Sequence, residues 1–249
     1  MKKNIADYWM YSKHAIETAL QNPKRKVKEM LVEKSSESFY RIFLQKNNIF
    51  NKKIKFKVTN KPEIIKKIGK LAKYQGVALL VEKINLVTYN LYKESLNKEK
   101  FILIIDQLND PGNLGSLLRV SYAFGLSSVV MPERYMTEEN GYVASVASGS
   151  LDKIKIYKIR NLVNTINYLK KQNWWIIGLE SKKNSNCIDI KEKKQKFDKN
   201  ALILGSENVG LRKLVRENCD ILYRISTKKH DLDSLNVVQA ATIALYELV

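Results

Sequence analysis

With 249 residues, 45% of them hydrophobic, and a mean hydropathy of −0.32, the chain has the composition of a soluble globular protein of one large domain or two. No apolar run approaches the ~20 residues a membrane helix needs, and a basic start without an apolar stretch behind it does not read as a secretory signal. Two cysteines, Cys187 and Cys219, and two histidines, His14 and His230, offer neither a disulfide framework nor metal-ligand spacing, so chemistry without a metal in a reducing, cytoplasmic setting is expected.

The net charge of +19 is unevenly spread. Residues 1–97 carry 21 Lys and Arg against 8 Asp and Glu, and residues 98–249 carry 23 against 17. A Lys-rich composition can simply coat solvent-exposed faces. Concentrated in one segment, it favours phosphate backbones through counterion release and makes nucleic acid the expected partner.

In chain order, residues 8–11 read as a short lead into an amphipathic helix over 14–20, which Asn22-Pro23 stops. Residues 27–32 alternate like a strand, and 38–46 suit a helix. From 45 to 73 there are ten basic residues against one acid, Glu63, with Phe50 and Phe56 among them. Aromatics among cations suit RNA, although for the pair alone two core phenylalanines under a Lys-coated helix are the favoured reading. Residues 75–81 read as the closing strand of a small domain, 1–82, and 83–100 as a linker.

The second domain, 101–249, opens with the apolar strand 101–105. Asp106-Gln107-Leu108-Asn109-Asp110-Pro111-Gly112 then turns the chain, a helix runs from Asn113 through Ala123, and 128–131 is the next strand. A small-residue helix ending near Gly149, a strand over 154–159, a helix over 162–169 and a strand over 174–179 follow. Of Trp174 and Trp175, which alternate in and out, at least one is core. Residues 181–200 read as a polar surface loop. The apolar run 201–204 stops at Gly205-Ser206-Glu207-Asn208-Val209-Gly210; a helix, the strand 221–225, a polar loop and a last helix after Ser234-Leu235-Asn236 complete the chain. This alternation predicts an α/β fold with a largely parallel sheet, whose strand ends are where ligands bind. Neither glycine cluster has the pattern of a dinucleotide or nucleotide-triphosphate loop, which argues against an ATPase.

Three motifs occur in order: Asn113-x-Gly115-x-x-x-Arg119, Leu204-Gly205-Ser206-Glu207-x-x-Gly210-Leu211 and Ser234-Leu235-Asn236-Val237. Together they resemble the SpoU/TrmH family of RNA ribose 2′-O-methyltransferases in the SPOUT superfamily. Tyr11-Ser12-Lys13-His14-Ala15-Ile16 and Tyr74-Gln75-Gly76-Val77-Ala78 resemble segments of the L30e-like RNA-binding domain that precedes the catalytic domain in the 23S rRNA guanosine methyltransferases. The resemblance implies a trefoil-knotted, mostly parallel catalytic domain, S-adenosylmethionine as methyl donor, a homodimer and an RNA substrate, with 23S rRNA foremost. By motif match, Asn113, Arg119, Glu207, Ser234 and Asn236 form the catalytic set, and Gly205, Ile225 and Leu235 contact the donor.

The residue types suit that chemistry. A sulfonium donor is already activated, so the protein aligns an in-line attack and assists loss of a hydroxyl proton. Arginine is a poor proton acceptor, so Arg119 is expected to clamp the target phosphate and polarise the hydroxyl. Glu207 is expected to fix Arg119 or Asn113, and Ser234 and Asn236 to cap the last helix. One departure stands out. The loop 226–233 lacks the Pro and Gly usual in the family, which predicts a looser donor loop. Competing readings are a tRNA or another rRNA as target, and an RNA-binding or ribosome-assembly protein weakened in catalysis by that loop.

Overall fold

The structure, a computed structural model, describes residues 7–49, 54–70, 72–84, 87–88, 99–180, 187–193, 197–206, 209–228 and 234–249. It divides into two compact units, Met1–Asn85 with Glu138–Lys153, and Leu86–Thr137 with Ile154–Val249.

The first unit is a four-stranded sheet of β1 (Asp7–Met10), β2 (Val27–Glu33), β3 (Lys55–Thr59) and β4 (Val77–Glu82), in the order β1-β4-β2-β3. β4 runs antiparallel to both its neighbours, and β2 and β3 are parallel. α1 (Lys13–Gln21) buries Ala15, Ile16, Ala19 and Leu20, at the 3–4 spacing of one helical face. α2 (Glu37–Lys46) buries Tyr40 and Leu44. α3 (Lys61–Ile68) starts at Asn60, whose side chain accepts from the Glu63 amide, and buries Ile64 against Leu31 and Ala78.

The residues read as a lead are the edge strand β1, and the Lys-rich stretch contains both β3 and α3. In β3 the lysines alternate with Phe56 and Val58 on an edge strand, so charge conceals a period-two pattern.

The second difference concerns Glu138–Lys153, including α5 (Gly141–Ala147), which the sequence reading kept within an unbroken domain 101–249 and which packs into the first unit. The segment packs on β1 and α1, and a buried arginine ties it down. The Arg25 side chain is fully enclosed and donates from Nε and Nη2 to the two Asp152 carboxylate oxygens, both at 2.9 Å. Its Nη1 donates to the Glu82 carbonyl at 3.0 Å and also to Glu139, which accepts from the Tyr8 hydroxyl as well. Burial opposes the Arg25 charge, yet Asp152 and Glu139 hold its pKa above the ordinary arginine value.

The second unit carries an eight-stranded sheet: β5 (Val87–Thr88), β6 (Phe101–Ile105), β7 (Ser128–Pro132), β8 (Lys155–Ile159), β9 (Trp175–Leu179), β10 (Ile188–Asp189), β11 (Asn200–Leu204) and β12 (Ile221–Arg224). The order is β10-β12-β9-β11-β6-β7-β8-β5 and every neighbouring pair is parallel. The sequence expectation of an α/β fold with a parallel sheet behind a small α/β unit agrees with this. Continuous apolar runs such as Phe101–Ile105 arise because parallel strands are covered on both faces.

One face packs Ile102, Ile104, Ile176 and Ile203 against Leu162, Ile166 and Leu169 of α6 (Leu162–Lys171) and against Val215 of α7 (Lys213–Glu217). α4 (Pro111–Ala123) and α8 (Val237–Leu248) pack together and bury Leu114, Leu117, Leu118, Ala241, Ala244 and Leu245. Each such leucine removed from water stabilises the fold by roughly 1.5–3 kcal/mol.

Trp174 is core, whereas Trp175 is exposed and stacks on Phe197 with centroids 3.9 Å apart. Within the stretch expected to be surface loop, Ile190 is buried and β10 joins the sheet. Within the expected linker, β5 pairs with β8; the rest of 85–98 lies outside the described residues.

Candidate active site

Because the strands are parallel, their C-terminal ends share one edge, and β12, β9, β11 and β6 are consecutive there. The residues that follow them, Ile225, Glu180, Gly205 and Asp106, therefore emerge side by side. The second motif sits at the middle of this edge. The Ser206 amide donates to the Gly210 carbonyl at 3.1 Å, and the Gly210 amide returns to the Ser206 carbonyl at 2.8 Å, closing a tight loop. A Cβ on Gly205 would lie 2.2 Å from the Gly210 carbonyl carbon and 2.4 Å from the Leu211 amide nitrogen, so only glycine fits. Gly210 has φ +71°, and a side chain there would meet the Glu180 carboxylate at 2.9 Å. Glu207, inside this loop in sequence, lies outside the described residues.

The first and third motifs meet each other. α4 begins where Asp110 caps it: the carboxylate accepts from the Asn113 amide at 2.6 Å and Pro111 occupies the first turn. α8 begins at Asn236, whose side chain accepts from the Val238 amide at 2.8 Å. The Asn236 amide group then approaches Asn113 Oδ1 at 3.4 Å, a long contact that joins two helix starts 123 residues apart.

Asn236 is thus the cap of the last helix. Ser234, expected to share that task, is exposed two residues earlier, too far along the chain to reach the first-turn amides. Gly115 is buried and Arg119, one turn later in the same helix, is exposed. Ile225 and Leu235 are half-buried, at the end of β12 and before α8.

Four residues absent from the sequence reading hold this edge together. Asp106 and Glu180, each the first residue after an apolar strand, are buried. Arg212 clasps Asp106 bidentately, Nε to Oδ2 at 2.8 Å and Nη2 to Oδ1 at 2.7 Å. Arg216 donates from Nε to Glu180 Oε2 at 2.8 Å and from Nη2 to the Leu211 carbonyl at 3.1 Å. The two arginines, four apart at the start and end of α7, straddle the Gly205–Gly210 loop and tie it to strands on either side. The readable signal was a carboxylate directly after an apolar strand, seen twice, together with the Arg212-x-x-x-Arg216 spacing.

Two further groups bound the chemistry. The Cys219 thiol is pushed up to about 12 by burial and by Asp220, and it donates to the Val215 carbonyl, so it is not a nucleophile. Beyond β12, Ser226 accepts from Arg224 and donates to Asp189, whose carboxyl is held below its usual range chiefly by that bond and by the Lys191 amide. Residues 229–233 of the loop lie outside the described residues.

Residues 100–246 match the SpoU rRNA Methylase family. The chain belongs to that family. Over 99% of its length and 97% of the relative's, it is 31% identical to the 23S rRNA (guanosine-2′-O-)-methyltransferase RlmB of Xylella fastidiosa. Its fold is that of the AdoMet-bound rRNA methyltransferase from Sinorhizobium meliloti, with a TM-score of 0.78, 19% identity, and 97% of this chain and 86% of that one covered. The SpoU methyltransferase AviRb from Streptomyces viridochromogenes, in complex with AdoMet, gives a TM-score of 0.75 at 19% identity, covering 97% and 88%. Membership makes the protein an S-adenosylmethionine-dependent RNA 2′-O-methyltransferase. The missing side chain at Gly205 lets the Gly210–Leu211 backbone close against it, which fixes the shape of the loop at this strand end.

Among the described residues there is no group of three or more His, Cys, Asp and Glu able to hold a metal, and no helix long and apolar enough to cross a membrane.

Proposed function

We propose that the chain methylates the ribose 2′-hydroxyl of a guanosine in 23S rRNA, acting in the cytoplasm as a homodimer with the knotted threading that the family resemblance implies. The observation that carries the site assignment is the meeting of Asn113 with Asn236 at two helix starts of the unit that also holds the Gly205–Gly210 loop. Likeness to the Xylella enzyme along nearly the whole chain supports the target.

The donor, when bound, supplies an activated methyl group. Gly205, Ile225 and Leu235 hold it, largely through backbone, and the remaining residues orient the ribose. Arg119, exposed and cationic one turn beyond Gly115, binds the target phosphate and polarises the hydroxyl. Asn113 and Asn236 fix the approach of the 2′-oxygen, Ser234 shapes the donor loop, and Glu207 orients Arg119 or Asn113. The second copy covers Tyr122 on α4 with Ile243, Tyr246 and Val249 at the end of the chain, large apolar side chains exposed on helices that pack together.

Mapping 2′-O-methylation on cellular rRNA and tRNA with and without this protein tests the reading. Loss of one methyl group on a 23S guanosine supports it, loss on tRNA replaces the target, and an unchanged map overturns the activity.

A further inference from the structure

In the first unit, α2 turns an apolar face to solvent. Phe39 is 44% exposed and Ile42 51%, and both share a face with Phe43 and the exposed Lys46. The Phe39 and Phe43 rings lie 6.2 Å apart at an interplanar angle of 26°, stacked side by side on this face. The Lys13 ammonium stands 4.3 Å from the Phe39 centroid, with Glu17 at 4.0 Å on its other side. On the neighbouring edge strand the Phe56 ring carries the Arg41 guanidinium at 4.7 Å, and Arg41 is in turn held by Glu37.

Exposed phenylalanines cost solvation free energy and need an occupant to offset it. The surrounding charge decides which occupant fits. Lys13, Arg41 and Lys46 stand at this face against Glu17 and Glu37, a local balance that favours phosphates over a basic partner. Flat rings flanked by fixed cations satisfy an unpaired nucleobase, whose face stacks on the ring while its phosphates meet the lysines. Duplex RNA does not fit, because its bases are already stacked.

We propose that the α2 face built on Phe39 and Phe43 stacks an unpaired base of the RNA substrate, the Lys13 ammonium moving from over the Phe39 ring to the base's phosphate. This rests on the reading of the chain as an RNA methyltransferase.

The test uses the full-length protein and a fluorescently labelled single-stranded oligoribonucleotide, with binding followed by anisotropy across a salt series. Phe39→Ala is expected to weaken binding by roughly 5- to 100-fold at every salt concentration. The slope of log affinity against log salt stays unchanged, because a stacked ring releases no counterions. Phe39→Trp restores affinity, and an oligonucleotide carrying abasic sites loses the difference between Phe39 and Ala. Equal binding by wild type and Phe39→Ala, or a loss of the same size on the abasic probe, overturns the proposal. A change in sedimentation with unchanged RNA affinity does so too, and makes the face a self-association surface. Transfer of labelled methyl from S-adenosylmethionine to 23S rRNA by the wild type reports on the underlying reading separately: its failure sinks that reading, whatever Phe39 does.

Discussion

In the first unit one arginine answers two carboxylates; in the second, two arginines answer one carboxylate each. The Arg25 side chain is 0% exposed and its partners Asp152 and Glu139 are 0% and 10% exposed. Asp106 and Glu180 are equally hidden, at 1% each, but Arg212 and Arg216 keep 38% and 33% of their side chains in water. Desolvating both members of a pair is expensive, and removing one leaves an uncompensated charge. A pair whose cation stays wet costs less to form and less to reopen. The first arrangement therefore suits a permanent staple, holding Glu138–Lys153 to β2 and β4 of its unit. The second suits a clasp on a loop that ligands approach.

The largest effect expected from this contrast is on stability. Arg25→Met strands two buried carboxylates and should cost about 3–5 kcal/mol, read as a lowered urea midpoint. Because Arg25 is held above the ordinary arginine range, its contribution is fully present at every pH below that range and would be lost only as pH rose through it. The wild-type contribution is therefore flat across neutral pH. A cost under ~1 kcal/mol would erase the distinction between staple and clasp.

Glu180→Gln comes next. Replacing a charge-assisted bond to Arg216 by a neutral one should cost about 1–2 kcal/mol. If the pair is a clasp on the Gly205–Gly210 loop, calorimetry should show donor affinity falling by roughly tenfold while RNA affinity holds. Equal losses in both would mean that the pair supports the unit as a whole.

Arg119→Ala sharpens the comparison from the solvent side. An exposed helix residue should change stability by no more than about 0.5 kcal/mol. Single-turnover methyl transfer should still fall at least tenfold, ~1.4 kcal/mol of transition-state stabilisation. A smaller loss would take Arg119 out of the catalytic set.

The strand-turn-helix beat of the second unit was legible because its apolar runs end abruptly in Asp106-Gln107 and Gly205-Ser206. The Asn113 and Asn236 motifs were legible through the family resemblance; of the two, only Asn236 is a helix cap, the first helix being capped by Asp110. The clasps were not, since Asp106 and Arg212 are 106 residues apart and only strand order joins them. β3 was hidden by its lysines, and the attachment of Glu138–Lys153 by contacts with Tyr8, Asn22 and Arg25 more than a hundred residues away along the chain. Choosing between Ser234 and Asn236 as the cap needed the helix start to within two residues, the least readable feature of any element.

The smallest expected effect lies in the donor loop, where sequence and structure pull in different directions. Without Pro or Gly, the loop 226–233 should order at a cost, which predicts weak donor binding by the free protein, tightened when RNA phosphates engage Lys228 and Lys229. The structure adds an anchor at the loop's first residue, where Ser226 bonds both Arg224 and Asp189. Ser226→Ala removes that anchor and should weaken donor binding by less than about fivefold, the worth of one hydrogen bond of ~1 kcal/mol. The pH dependence carries a definite sign. Asp189 is held below its usual range, so its contribution is present above the ordinary aspartate value and is lost as pH falls through the lower folded one. Neutral pH thus leaves the wild-type anchor intact, and its loss is confined to acid. Ser226→Ala returns Asp189 toward its ordinary value and moves that acid limb upward. Calorimetric titration of the donor from acid to neutral pH, with and without RNA, checks both effects. Coincident acid limbs for wild type and variant would mean that the Ser226–Asp189 bond does not order the loop.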